Sequence, residues 1–193
     1  YCVAHASWLY ARGVAHAALG EVERAEAEER LFHEAMAAVP ETRLLHNNRV
    51  VDLLAIAERM LRGEIAYRKG DHDEAFAALR EAVSLEDGLP YDEPWGWMQP
   101  VRHALGALLF EQGRVAEAEA VYREDLGLGG QLSRATVHPD NVWSLRGLHD
   151  CLKARGETVE IAQVRQRLDI ALARADGALA ASCFCAQSAM AAA

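Results

Sequence analysis

The sequence predicts an all-α chain of about four stacked helix-turn-helix repeats. Three observations carry that prediction. Glycines seven residues apart recur as Gly13/Gly20, Gly63/Gly70 and Gly106/Gly113, and an alanine follows each second glycine by five residues, at Ala25, Ala75 and Ala118. Apolar residues continue at helical spacing behind them, as in Phe32, Ala35 and Met36, or Leu79 and Ala82. With Gly156 counted, the second glycines stand 50, 43 and 43 residues apart, so one unit recurs along the chain. The first glycine lets two helices approach, the second lets the chain turn, and the alanine lets the returning helix lie close.

Taken in order, the first repeat spans about 4–40. Its run EVERAEAEER is a solvated face with i, i+4 pairs such as Glu26 and Arg30, and Pro40 stops it. The second, 50–87, opens on a long helix with Val51, Leu54, Ile56 and Leu61 at near-helical spacing. The third, 98–130, carries Gly106, Gly113, Ala118 and Tyr122 and exits at GLGG. The fourth, 141–173, puts His149 in place of the first glycine, Gly156 as the second, Ile161 for the alanine and Leu168 at the close. Residues 1–176 thus form a repeat domain. A tail, 177–193, holds a C-x-C pair, and Gly177 is expected to end or kink the last helix. Two long connections, 86–100 and 127–141, are rich in proline and turn residues, and loops of that length in a compact array are usually functional or lid-like.

The paired-glycine pattern resembles the tetratricopeptide repeat, whose usual length is about 34 residues. The excess length lies in the connections. A narrower resemblance rests on three blocks: LPYDEPWGWMQP at Leu89 to Pro100, HPDNVWSL at His138 to Leu145, and ASCFC at Ala181 to Cys185. They look like the C-terminal third of long bacterial and fungal tetratricopeptide-repeat proteins. Members of that group commonly carry histidine where this chain has Arg146, a Glu-Cys pair at Asp150 and Cys151, and a basic residue at Ala186. Their histidine-rich upstream part has no counterpart in this chain, which opens on Tyr1, so a portion of a longer solenoid is expected.

The resemblance implies a concave groove lined by the first helix of each repeat. Its frame puts Tyr10, Glu64, Tyr67, His103, Phe110, Trp143, Arg146 and Asp150 in that groove, with Tyr91, Asp92, Trp95 and Trp97 on a rim loop. The expected function is a protein-interaction scaffold holding a peptide or partner segment. Aromatics at helical spacing also pack as core, so Tyr67 and Phe110 keep that second reading, as does His103 that of a buried, hydrogen-bonded histidine. The two loop tryptophans either anchor a partner or fold back between repeats. A peptide-carboxylate clamp is not expected, because it needs several Lys and Asn residues where only Arg146 and Lys153 stand.

Composition narrows the remaining classes. The chain has 193 residues, is 51% hydrophobic and has a net charge of −9, which disfavours nucleic acid and anionic membranes as partners. No apolar run approaches the ~20 residues of a membrane span, and YCVAHASWLY is not a signal peptide, so a cytoplasmic location is expected. Four cysteines in a chain able to bury its own core imply reduced thiols. No phosphate loop, nucleophile elbow or H-E-x-x-H motif occurs, and no enzyme is claimed. The alternative function is a metal-binding protein or metal-dependent enzyme. In an extended segment Cys183 and Cys185 point the same way and would grip one soft ion, copper or zinc, completed by His103, His138 or His149. No other cofactor is predicted. Exposed ends of a truncated solenoid would favour self-association.

Overall fold

The computed structural model describes residues 1–177 and 179–186. Among them are eight α-helices in four consecutive pairs: α1 (Cys2–Ala18) with α2 (Val22–Ala37), α3 (Val50–Lys69) with α4 (His72–Asp87), α5 (Val101–Glu111) with α6 (Val115–Asp125), and α7 (Val142–Ala154) with α8 (Glu160–Leu172). The described residues are all-α apart from one small ribbon, with the helix pairs following one another as repeats. The chain falls into two compact units, Tyr1–Val101 and Arg102–Ala193. Residues 179–186, expected as a separate tail, therefore belong to the second unit.

In the first unit α1 packs on α2 and α3, and α3 packs on α4. Its core joins Ala6 and Leu9 of α1, Phe32 of α2, and Val50, Leu54, Leu61 and Ile65 of α3. Fully burying each such Leu, Ile or Phe is favourable by roughly 1.5–3 kcal/mol. Gly70 ends α3 in the left-handed conformation, at φ 83°, and its amide reaches back to the Ala66 and Tyr67 carbonyls. A β-carbon would be strained there, which explains the glycine. Asp71 then caps α4 by accepting from the Glu74 amide. Between α2 and α3 the linker forms an unforeseen ribbon, β1 (Leu44–Leu45) against β2 (Asn48–Arg49). His46 turns it at φ 51°.

In the second unit α6 packs on α7, and α7 on α8. Leu105, Leu108 and Leu109 of α5, Tyr122 of α6, and Leu145, Leu148 and Leu152 of α7 are buried. The close-approach glycine of the fourth pair is Gly147, two residues before His149. A β-carbon on Gly147 would stand 2.2 Å from Tyr122 Cζ, and one on Gly106 would stand 2.5 Å from the same ring. The ring of Tyr122 lies between those two glycines, and that contact, rather than the seven-residue frame, sets which position must be small. The last helix also ends earlier than expected, at Leu172, five residues before Gly177. Val164 and Leu168 are the buried residues of α8. Residues 173–177, directly after the helix, are exposed and give no buried face to sustain it.

Gly147→Ala drives a methyl into a buried ring and is expected to destabilise the protein by about 1–3 kcal/mol. Gly177, which has no neighbour within 4 Å of the added carbon, is expected to tolerate alanine within about 0.5 kcal/mol. Denaturant midpoints of the two variants check the contrast.

Candidate functional site

Residues 179–186 of the second unit lie over the faces of α5 and α7. Ser182 donates to the His103 carbonyl at 3.2 Å, and the Tyr122 hydroxyl meets Ser182 Oγ at 2.5 Å. Phe184 sets its edge on Trp143, with centroids 5.4 Å apart, and Trp143 stacks on His103 at 6.4 Å. Cys185 Sγ stands 4.0 Å from the Ala104 carbonyl oxygen, and Ala186 is buried. Beneath the segment a cavity of about 290 Å³ is lined by Ala107, Phe110, Tyr122, Gly147, Asp150 and Ser182, among others. Burial pushes the Tyr122 phenol well above its usual range, so it acts as a neutral donor.

Five expected groove residues fall in this unit. Phe110 and Asp150 line the cavity. His103 and Trp143 lie under the segment, joined by their ring stacking. Arg146 is turned to Asp150, Nε to Oδ2 at 2.9 Å, and His149 Nδ1 is 3.3 Å from the same carboxylate.

A polar knot stands beside that face. The Asp125 carboxylate, fully buried at the end of α6, accepts from His138 Nδ1 at 2.7 Å, His103 Nε2 at 3.2 Å, Asn141 Nδ2 at 2.8 Å and Ser144 Oγ at 2.5 Å. Its backbone carbonyl takes the His138 amide at 2.7 Å. Burial alone would raise this carboxyl, but the hydrogen bonds from His103, His138 and Ser144 outweigh it and hold the group well below the usual range. Asn141 also caps α7 through the Ser144 amide at 2.8 Å. The 127–141 connection is thereby tied to α6 and α7. Sequence reasoning took His138 for a metal ligand and passed over Asp125; the polar triplet His138, Asn141, Ser144 at three-residue spacing was the available signal.

The cysteines correct the expectation of four reduced thiols. Cys183 and Cys185 are bonded to each other, while Cys2 and Cys151 are free. A pair one residue apart closes on itself without a disulfide framework, so the rule drawn from core size does not govern it. In this state the two sulfurs present no thiolates, and His103 and His138 are spent on Asp125. Among the described residues no group of three or more His, Cys, Asp or Glu side chains is arranged to hold a metal ion. Cys151 is inert by burial: desolvation first, then the charges of Glu119 and Asp150, push its thiol up to about 12.

In the first unit the rim loop folds onto its own helices. Trp97 sets its edge on Tyr10, with centroids 5.7 Å apart, and packs against the core. The Tyr10 hydroxyl lies 3.4 Å from Gln99 Oε1 and 3.7 Å from Met60 Sδ, and burial raises this phenol, helped by the Glu64 charge. Trp95 and Tyr91 stay out, 42% and 56% exposed. Asp92 is buried, accepting from the Asn47 amide at 3.1 Å and Asn48 Nδ2 at 3.3 Å. Glu64 and Tyr67 do not form an open floor. Both are buried; Glu64 takes two hydrogen bonds from Arg68, at 2.8 and 2.6 Å, and Tyr67 packs on His72 and Phe76. The ring at helical spacing is core, as its second reading had it.

Residues 59–88, the end of α3 with α4, match the family described as Tetratricopeptide repeat. That stretch is similar to one tetratricopeptide repeat. Such repeats generally mediate protein–protein interaction. No characterised protein and no solved structure matches the chain. Among the described residues no helix is long and apolar enough to cross a membrane.

Asp125→Asn keeps the shape of the knot but removes its charge, and is expected to cost about 1.5–3 kcal/mol near neutral pH. Because the folded carboxyl is held low, its contribution is complete above the usual carboxylate range and drains away as pH falls through the depressed value. The difference between the variant and the parent should stay constant from pH 7 to about pH 5 and shrink only below it, as pH falls toward the depressed value; unfolding curves that stay parallel down to about pH 2 would count against the assignment.

Proposed function

We propose that the protein is an interaction module that holds a short segment of another protein on the faces of α5 and α7. One observation carries the reading: the chain's own residues 179–186 lie there, in contact with His103, Trp143 and Tyr122. The contacts define the ligand's chemistry. A hydroxyl residue reaches Tyr122 and the His103 carbonyl, an aromatic two positions later meets Trp143, and Ala180, Ala181 and Ala186 line the cavity as small neighbours. The partner segment is therefore a Ser/Thr-x-aromatic sequence flanked by small residues.

A labelled LAASCFCA peptide closed by its own disulfide, added to the full chain, tests the reading. Phe184→Ala frees the Trp143 edge and is expected to raise peptide affinity about tenfold, while adding Trp143→Ala removes the gain. Equal binding by all three proteins would reject the face as the site.

A further inference from the structure

The disulfide of the second unit is placed where a structural staple has little to do. It spans a single residue, and the stabilisation a cross-link gives through chain entropy grows with the loop it closes. It ties no distant elements together. What it sets is the local course of the segment: Cys183 and Cys185 have their Cα atoms 5.2 Å apart, whereas an extended chain separates alternate residues by about 6.5–7 Å. The contacts that seat the segment stand immediately around that kink. Ser182 precedes it, Phe184 is inside it, and buried Ala186 follows it. Both cysteines are half-buried and Phe184 is 63% exposed, so the bond is within reach of solvent, unlike Cys151.

We propose that Cys183–Cys185 is a thiol–disulfide exchange site, reduced by a dithiol, whose reduction releases residues 179–186 from α5 and α7. The chemistry balances as a two-electron exchange. One thiolate of the dithiol bonds to Cys185 Sγ, the Cys183–Cys185 bond breaks, and Cys183 leaves as thiolate. The Cys185 amide, 3.2 Å from Cys183 Sγ, donates a hydrogen bond that stabilises this thiolate. The second thiol of the dithiol then displaces Cys185, giving two cysteine thiols and the dithiol's own disulfide. Free of the ring, the segment can extend, which pulls Ser182 and Phe184 out of register with Tyr122 and Trp143. The release opens the face assigned above to a partner peptide; that last consequence rests on the proposed function, and the exchange and release do not.

Hydrogen exchange of the full chain, read by mass spectrometry with and without dithiothreitol after oxidation by oxidised glutathione, tests the release without any ligand. Alkylation should count two more thiols in the reduced protein, and amides of 181–186 should exchange at least tenfold faster. The Cys183→Ser, Cys185→Ser double variant should exchange at the fast rate in both buffers. A pair that does not oxidise, a segment that exchanges equally in both states, or a reduced pair that takes up zinc with its segment still protected would each overturn the proposal. Binding of the disulfide-closed LAASCFCA peptide at equal affinity to the oxidised parent and to the Cys183→Ser, Cys185→Ser double variant would overturn the gating. A redox-dependent segment in a protein that binds no peptide would sustain the exchange site and remove only the reading of the face.

Discussion

The second unit depends on one inserted ring. Tyr122 lies between Gly106 of α5 and Gly147 of α7, 1% exposed, and neither glycine has room for a methyl. A phenylalanine would satisfy the packing alone. The hydroxyl adds an obligation, because a buried hydroxyl without a partner costs about 1–3 kcal/mol. Ser182 meets that obligation by accepting from the phenol and donates its own O–H to the His103 carbonyl. The core of the helix array and the covering of its face are therefore coupled through one side chain.

Helix α6 carries the second anchor as well. Asp125, three residues beyond Tyr122, gathers His138, Asn141 and Ser144, so the long connection after α6 is drawn back onto it. On another side Glu119 binds Arg123 and Arg155, and Arg123 binds Glu160 at the start of α8. The first unit repeats the device with Asp92, whose carboxylate takes Asn47 and Asn48 while Gly96 runs close over Asn48. A buried carboxylate is a costly choice unless several donors converge on it. Where they do converge, it fixes the course of an irregular segment in a way that apolar packing, which has no direction, does not.

These anchors explain what was legible in advance. Helix periodicity and the glycine pairs mark local events, and they placed all four helix pairs and the turns at Gly20, Gly70, Gly113 and Gly156. The groove frame counts positions along a helix and cannot say what those positions meet: Phe110 and Asp150 line the cavity and Trp143 lies beneath the segment, whereas Glu64 and Tyr67 are buried. The sequence blocks around Asp92, His138 and Ser182 stood out by composition, but each acts on a residue far along the chain: Asn48, Asp125 and Tyr122. Such pairings leave no periodic trace. The disulfide was missed for a different reason: a rule about frameworks was applied to a pair that needs none.

A face covered by its own chain has a consequence for any ligand. A tethered segment competes at an effective concentration in the millimolar range, so a peptide in trans meets a site that is free only a small fraction of the time, and its apparent affinity falls by that fraction. Releasing the segment removes the competitor but leaves Tyr122 in its slot, held by Gly106 and Gly147, with its hydroxyl deprived of Ser182. The open face is then selective by need. A peptide that brings a hydroxyl to that point restores the hydrogen bond, and one that brings a methyl leaves the phenol unmet, the kind of contrast that discriminates more strongly than a gain of apolar contact. The covering segment thus serves as competitor when closed and as a template of the accepted chemistry when open.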